Sequence, residues 1–353
     1  MGDAVDHRPP HFHVCQQDFT MIPFSILDLS PIAEGKTASD ALDESRRLAI
    51  KAENEGYKRV WLAEHHGMPG IASAATAVVI GHIGQATKRI RVGAGGIMLP
   101  NHSPLVVAEQ FGTLEALFPG RVDLGLGRAP GTDMRTAQAL RRNMDPGADN
   151  FPNDILELQH LLSTPLENQA ILAIPGVESN VPVWLLGSSV YSAHLAAALG
   201  LPYAFASHFA PDMLFEALHI YRERFQPSAT LDKPYVMVGV MGVGAETDEE
   251  AKRLFTSSQQ QFVNLRKNIR TKFPKPVDSM DGHWTEVEQI NVEHTLRFAA
   301  VGSPATLEKN LGEFLADTAA DELIVSMPIH DIDARLRSVE IFANLPMMQK
   351  VTD

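Results

Sequence analysis

This chain of 353 residues has almost no cysteine and no long apolar run. A lone cysteine, Cys15, cannot form a disulfide within the chain, which is typical of a reducing compartment, so we expect a cytoplasmic protein. No apolar run approaches the ~20 residues that a membrane-spanning helix needs, so we expect no membrane partner. Residues 1–20 lack the continuous apolar stretch of a secretory signal. We expect them to be a disordered N-terminal extension before one domain over 21–353.

Positive charge is also scarce. The chain has 30 Lys and Arg residues against 43 Asp and Glu residues, a formal net charge of −13. Nucleic acids and anionic membrane surfaces would repel such a protein, so we expect neither as a partner. With 44% hydrophobic and 21% charged residues the composition is that of a globular protein with a large core, and the length suits one α/β barrel with insertions.

Nucleotide-binding fingerprints are missing as well. The Gly125-x-Gly127-x-x-x-Gly131 pattern is one residue too long for the dinucleotide motif, and Gly93-x-Gly95-Gly96 has no third glycine at the right step. No Walker sequence occurs. We therefore predict that the chain has no nicotinamide-binding domain of its own.

What the chain does contain is eight short apolar runs separated by helical patterns. Apolar runs without strict alternation are typical of parallel strands that are covered on both faces. Eightfold β/α alternation predicts a closed (β/α)₈ TIM barrel, and strand count favours it over an open doubly wound sheet. The predicted strands span 23–28, 59–64, 90–98, 121–126, 182–186, 203–207, 235–243 and 322–327.

Two connections are too long for simple crossovers, which predicts insertions after strands four and seven. The first, 143–181, contains a predicted helix at 153–162 and a predicted strand excursion at 170–175. The second, 245–321, begins as a helix and becomes polar and irregular over 272–291. That segment is either a surface embellishment or a mobile lid, and its departure from the carboxyl end of strand seven favours a lid.

A phosphate site is predicted where strands four and five end. Arg128 follows the fourth strand, Gly187-Ser188-Ser189 follows the fifth and opens a helix, and Ser192 lies one turn into that helix. A guanidinium, hydroxyls and the N–H groups of a helix N-terminus together suit a phosphate dianion. The alternative is a serine that only caps the helix beside a surface cation. An arginine inside a glycine-rich turn favours the phosphate interpretation.

Histidines follow two of the strands. His65 and His66 end strand two, but adjacent strand residues point to opposite faces, so we predict no metal site there. A histidine near neutral pKa moves protons readily, although many histidines only satisfy backbone groups. His208 follows strand six and Met98 ends strand three, and both are candidates for a substrate pocket. Core packing explains Met98 equally well.

Gly95 and Gly96 are consecutive glycines at the end of strand three. Glycine allows close approach to the backbone, so we expect a flat ring to lie against the main chain here. A bulge that eases the curvature of the barrel is a compatible alternative.

Three motifs together resemble a known family. They are Trp61-Leu62-Ala63-Glu64-His65-His66, the run from Gly93 to Pro100, and Gly125-Leu126-Gly127-Arg128-Ala129-Pro130-Gly131. Their wording and spacing resemble the bacterial luciferase-like, flavin-dependent monooxygenases, in particular the FMN-dependent, alkanal-monooxygenase-like branch. The resemblance extends from about residue 22 to about residue 346, nearly the whole chain.

The resemblance assigns roles to site residues. It implies that Arg128, Ser188, Ser189 and Ser192 bind the FMN phosphate, although luciferase has an acidic residue where Ser188 stands. It places the active-site histidine at His65 and leaves His66 a packing or supporting residue. It also implies that Gly95 and Gly96 are joined by a cis peptide beneath the isoalloxazine ring.

The activity implied is oxygenation of a small organic substrate, an aldehyde or another carbonyl compound, by reduced FMN and O₂. A separate NAD(P)H:flavin reductase would supply the reduced flavin. The family also implies a homodimer formed through early helices, and residues 75–83 are apolar on more than one face, as an interface requires. A deazaflavin-dependent dehydrogenase and a non-catalytic flavin-binding protein are the alternatives, and light emission is not implied.

Overall fold

The apolar runs form a closed barrel in the computed structural model, which describes residues 21–129, 131–140 and 150–351. Eight strands pair in parallel in the order β1-β2-β3-β4-β5-β6-β7-β9, and β9 also pairs with β1 and closes the sheet. The TIM barrel is therefore confirmed. The strands are β1 (Ile22–Asp28), β2 (Arg59–Leu62), β3 (Arg91–Met98), β4 (Val122–Gly127), β5 (Val183–Gly187), β6 (Tyr203–Phe205), β7 (Val236–Gly244), β8 (Ala300–Gly302), β9 (Glu322–Ser326) and β10 (Met348–Gln349).

Helices cover the outside of the barrel and explain why the strand runs are apolar on both faces. In β7 every residue is buried. None of the described helices is both long and apolar enough to cross a membrane. The helices are α1 (Ala38–Asn54), α2 (Thr76–Ala86), α3 (Pro104–Leu117), α4 (Met134–Leu140), α5 (Phe151–Leu162), α6 (Val190–Leu199), α7 (Leu214–Arg224), α8 (Asp248–Arg266), α9 (Glu286–Thr295), α10 (Pro304–Thr318) and α11 (Ile332–Ala343).

A buried ion cluster fills the barrel near the amino ends of the strands. Arg59 donates hydrogen bonds to Glu322 Oε1 at 2.8 Å and to Asp123 Oδ2 at 2.7 Å. Trp61 lies above this layer, donates from its indole nitrogen to Asp123 at 3.2 Å, and packs edge-on against Trp184. Because this end is filled, the open end of the barrel is the one at which the strands finish.

The insertion after β4 differs from its prediction in one part. The predicted helix is present as α5, but the strand expected at 170–175 is wrong, since those residues form irregular structure and turns. Pro175 has no N–H to donate to a ladder, and the closed barrel offers no free edge to pair with. Instead, Gly176 packs so closely against Gly112 of α3 that a side-chain carbon at Gly112 would clash with its backbone.

The insertion after β7 is more ordered than its polar composition predicts. Residues 272–285 are largely irregular, but Thr285 begins α9 with a capping box to Glu288. Phe273 is buried and exchanges backbone hydrogen bonds of 2.9 Å with Ile32 and Glu34, and Met280 packs into an apolar cluster with α8 and α9. The irregular part is therefore anchored at two buried side chains. Its movement as a lid stays a prediction.

Candidate active site

A cavity of about 760 Å³ opens at the carboxyl ends of the barrel strands. This is the end at which TIM-barrel enzymes carry their active sites, and the volume lies in the range of small-molecule sites. The structure brings all ten site residues predicted from the sequence to its wall: His65, Gly95, Gly96, Met98, Arg128, Gly187, Ser188, Ser189, Ser192 and His208.

Arg128 and the start of α6 form one corner of this cavity. The Arg128 guanidinium lies over the ring of Tyr191 at 4.1 Å from its centroid, and Tyr191 is the second residue of α6. Ser189 stands at the N-cap position, but its side chain makes no capping hydrogen bond. A cation and the N-terminal backbone donors of a helix therefore meet at one point, which favours an anion.

Ser192 has a different environment from the two serines before it. Its side chain is buried, its hydroxyl donates to the Ser189 carbonyl at 2.8 Å, and it lies 3.1 Å from the Tyr203 hydroxyl. A side chain at Gly187 would collide with this hydroxyl, so only glycine fits there. Ser192 thus stabilises the first turn of α6, while Ser188 and Ser189 lie nearer its open end.

Two histidines with lowered pKa values face the cavity from different sides. Burial lowers the pKa of His65, which follows β2. Burial, with a smaller effect of the nearby His65, lowers the pKa of His208 to about 4, after β6. The Nδ1 atoms of both rings are buried and have no hydrogen-bond partner among the described residues. Both imidazoles are therefore neutral at physiological pH and available to a bound molecule.

Hydrogen bonds to the Glu64 carboxylate hold the segment around His65. Its Oε1 accepts hydrogen bonds from His66 at 2.7 Å and His102 at 2.9 Å, and its Oε2 accepts one from the Met98 N–H at 2.9 Å. Burial would raise the pKa of this carboxyl, but these hydrogen bonds outweigh it and leave the pKa below its usual value. His66 contacts this carboxylate, and its supporting role stays a prediction.

The same three side chains could hold a metal ion, because one ligand atom from each of Glu64, His66 and His102 lies within 4.8 Å of the others. However, both ring nitrogens contact a single carboxylate oxygen at hydrogen-bond distances. That arrangement is a satisfied hydrogen-bond network. The absence of a metal site stays a prediction.

The Gly95–Gly96 peptide is cis, as the resemblance implied, and the register between β3 and β4 shifts across it. A side-chain carbon at Gly95 would lie 2.8 Å from the Trp61 ring, and one at Gly96 would lie 2.6 Å from the Gly125 carbonyl oxygen. Packing inside the barrel therefore requires small residues here, independently of any bound ring.

The sequence analysis missed further residues that line the cavity, among them Tyr191, Gln261 and Arg335. Tyr191 had a detectable signal, since it lies beside Ser192 at the start of a predicted helix. Gln261 and Arg335 had none, because both lie on helices whose rotation about their axes the sequence does not fix.

The comparisons agree with this geometry. The chain belongs to the luciferase-like monooxygenase family, whose model matches residues 22–322. A luciferase-like monooxygenase of Escherichia coli K12 is 53% identical over 320 residues, which cover 91% of this chain and 96% of the relative. The chain is accordingly an enzyme of this monooxygenase family, and the recognition from sequence is confirmed.

Solved structures share the fold. The crystal structure of apo-MsnO8 is 34% identical, has a TM-score of 0.82, and the match covers 91% of this chain and 98% of that chain. Two distant structures show the fold alone. One is the oxygenating constituent of a 3,6-diketocamphane monooxygenase of Pseudomonas putida with FMN, with 17% identity, TM-score 0.70, and coverage of 94% of this chain and 100% of that chain. The other is an F420-dependent secondary alcohol dehydrogenase, with 15% identity, TM-score 0.64, and coverage of 95% and 100%.

Proposed function

We propose that this protein uses reduced FMN and O₂ to oxygenate a small carbonyl compound, and that a separate NAD(P)H:flavin reductase supplies the reduced flavin. The observation that carries the proposal is one cavity that combines an anion-binding corner at Arg128 with two neutral histidines and apolar walls.

The corner fits the phosphate of FMN. The Arg128 guanidinium stacks on the ring of Tyr191, and a guanidinium can bind a phosphate bidentately through its edge. The Ser188 and Ser189 hydroxyls and the first N–H groups of α6 add donors to the same point. The glycine pair of β3 gives a surface without side chains on which the flavin ring can lie.

His65 is the residue we assign to proton transfer. A buried neutral imidazole accepts a proton at one nitrogen and donates at the other, which suits a step beside a reactive ring. When bound, reduced FMN supplies the electrons that activate O₂. The residues of this chain hold the flavin at its phosphate, exclude water with apolar side chains, and move a proton at His65.

The identity of the flavin is the first point to test. A deazaflavin dehydrogenase shares the barrel and an anion site, so likeness of fold does not separate the two functions. We expect FMN to raise the melting temperature of the purified protein and deazaflavin F420 to raise it less. A larger shift with F420, or F420 co-purifying with the protein, would favour the dehydrogenase.

The decisive experiment is product analysis in air. A panel of aldehydes, ketones, esters and amides is incubated with the protein, FMN, NADH and a generic flavin reductase, and products are identified by mass spectrometry. We expect one atom of ¹⁸O from ¹⁸O₂ in a product that disappears when the reductase is omitted. FMN binding without any oxygenated product would favour a non-catalytic flavin-binding protein.

A further inference from the structure

A buried arginine lies in the cavity wall on the side away from the phosphate corner. Arg335, on α11, is 2% exposed and lines the cavity. Its Nη2 donates to Asp28 Oδ1 at 2.8 Å and its Nε donates to the Met327 carbonyl at 2.6 Å. Its Nη1 is buried and has no acceptor among the described residues. A buried donor of this kind costs free energy unless an acceptor reaches it.

Gln261 offers the complementary group. It lines the same cavity from α8, and its Oε1 is buried without a donor in the described part of the chain. One turn earlier on α8, Ser258 donates to the Pro328 carbonyl at 3.4 Å, and Arg335 bonds the carbonyl of the preceding residue, Met327. Arg335 and the turn of α8 that precedes Gln261 therefore contact the same loop after β9. An unused donor and an unused acceptor therefore line one cavity.

Arg335 and Gln261 lie on the side of the cavity opposite the phosphate corner at Arg128. Asp28 ends β1 and Met327 follows β9, and these strands are neighbours in the closed sheet, whereas Arg128 and Ser188 follow β4 and β5. In an eight-strand barrel these two pairs of strands stand on opposite sides. A flavin with its phosphate at Arg128 and its ring on the β3 glycines leaves the Arg335 side for another molecule.

The charge at this pair indicates a neutral ligand group. The carboxylate of Asp28, itself 1% exposed, already balances the charge of Arg335. A carboxylate entering the cavity would leave one uncompensated buried negative charge, which is costly. A neutral carbonyl oxygen can accept from Nη1 without that cost. The N–H of a carboxamide, which points away from the carbonyl oxygen in a trans secondary amide, would satisfy Gln261.

We propose that Arg335 and Gln261 form a carboxamide subsite: Nη1 donates to the carbonyl oxygen of the substrate, and Gln261 Oε1 accepts from its N–H. This names the substrate class of the proposed function, a small carboxamide with an apolar body, and rests on that function only in taking the cavity as the substrate site. The two residues position the substrate and take no part in bond making.

Isosteric probes test the subsite directly. N-octylacetamide, 2-undecanone and octyl acetate share one shape and differ at a single atom, which is N–H, CH₂ or O. Their dissociation constants are measured calorimetrically on the protein saturated with oxidised FMN, with decanoate as the anionic probe. Because the amide is better hydrated than the ketone, the readout is how a substitution changes the ratio of amide to ketone affinity.

Two substitutions separate the two contacts. Gln261→Met should weaken N-octylacetamide about 10-fold and leave 2-undecanone within 2-fold, since only the amide has an N–H to lose. Arg335→Lys should weaken the amide, the ketone and the ester together. If Arg335→Lys fails to fold, Gln261→Met, which leaves the ion pair with Asp28 intact, still decides the proposal.

Matched controls exist on the same helices. Gln260 precedes Gln261, does not line the cavity, and bonds the Lys275 carbonyl. Arg337 lies on α11 with Arg335 and pairs at the surface with Glu246 and Glu340. Gln260→Met and Arg337→Lys should leave all four affinities unchanged.

Three results would overturn the proposal. The first is a ratio of amide to ketone affinity that Gln261→Met leaves unchanged, and the second is decanoate binding more tightly than the other probes. The third is a loss of FMN and riboflavin affinity in the Gln261 and Arg335 variants, which would assign the pair to the flavin ring. Because binding is measured without turnover, the subsite and the proposed oxygenation can each be contradicted independently of the other. Oxygenation without the amide preference contradicts only the subsite, and the preference without oxygenation contradicts only the proposed activity.

Discussion

Among single residues, we expect Arg128 to contribute most to flavin affinity. Charge-assisted hydrogen bonds are worth ~1.5–3 kcal/mol each, so Arg128→Ala should weaken FMN binding by roughly 10- to 150-fold. Riboflavin, which has no phosphate, should bind equally well to both proteins. Fluorescence titration of the two flavins measures the difference.

Tyr191 provides the control for this prediction. Tyr191→Phe keeps the ring face beneath the guanidinium and should leave FMN affinity within about 2-fold, whereas Tyr191→Ala removes a contact worth roughly 0.5–1 kcal/mol. If Arg128→Ala weakens FMN and riboflavin alike, the phosphate is bound elsewhere.

His65 should matter for turnover and not for affinity. His65→Ala should retain FMN binding and lose oxygenation by a factor of about 10² or more, because general acid–base catalysis contributes that much where proton transfer limits the rate. The rate is compared at saturating substrate, with His219→Ala, at an exposed position on α7, as the control. Full activity in the His65 variant would remove this residue from the mechanism.

His208 should make the folded protein sensitive to acid. Its pKa in the folded state is about 4, below the 6.5 of an exposed histidine, so the folded state binds fewer protons than the unfolded state. The free energy of unfolding therefore falls as the pH falls from 6.5 toward 4, by about 3 kcal/mol from this residue at pH 4. Above pH 7 the contribution vanishes.

Urea unfolding of the wild type and of His208→Asn across this pH range isolates the effect from other groups. The stability difference between the two proteins should shift with pH in favour of the variant as the solution becomes acidic. A difference that is constant from pH 7 to pH 4 would contradict the lowered pKa.

At the residue scale, prediction from sequence succeeded where chain position alone fixes the location. Arg128, Ser188 and His65 follow strands. Residues that follow the carboxyl end of a barrel strand can lie only at the open end of the barrel. Arg335 and Gln261 lie inside helices, where facing the cavity depends on how each helix is rotated against the sheet. That rotation is set by packing between distant segments.

At the scale of the elements, the insertion after β7 is the segment that we expect to move. Between the buried Phe273 and Met280 the chain is irregular and exposes Lys275, Asp278 and Ser279, and residues 281–283 are exposed, with Gly282 at φ 78°. We expect brief proteinase K digestion without ligand to cut within 272–291 first, since cleavage follows exposed and weakly bonded backbone. FMN should slow this cleavage.

AMP is the control ligand for that digestion, because it offers a phosphate without a flavin ring. Protection by FMN and not by AMP indicates that the segment responds to the occupied cavity that Phe273 lines. Slow cleavage in this segment, at the same rate with and without FMN, would count against a lid.

The elements also show where composition misleads. All eight barrel strands were predictable because buried parallel strands need apolar residues on both faces, and few other structures do. Polar residues from 272 onward predicted irregular structure, yet 286–295 form α9, which buries only Val292 and Thr295 and leaves its other residues exposed or half-buried. A helix with so narrow a buried face leaves little periodicity to detect.

On the scale of the whole molecule, the two ends of the barrel have different tasks. Arg59, Asp123 and Glu322 close the amino end, where burial would lower the pKa of the Arg59 guanidinium but the two carboxylates outweigh it and raise that pKa. The apolar cavity lies at the other end. The charged end serves stability, so substitutions there should act on folding and not on specificity.

The outer surface suggests how two molecules would associate. On α2 and α3, which pack side by side, Val78 is 73% exposed, Leu117 61% and Val106 44%, although neighbouring residues of both helices are buried. Exposed apolar groups on adjacent helices are typical of a subunit interface. We therefore propose that a homodimer forms through this face, which includes residues 75–83.

Val78→Glu tests this interface, because a carboxylate placed in an apolar contact and facing its symmetry mate costs both desolvation and repulsion. Sedimentation velocity at micromolar concentration should give a dimer for the wild type and a monomer for the variant. Val287→Glu is the matched control: Val287 is 68% exposed on α9, outside this face, and its substitution should leave the dimer intact. A monomeric wild type, or a Val78→Glu protein that stays dimeric, would rule out α2 and α3 as the contact.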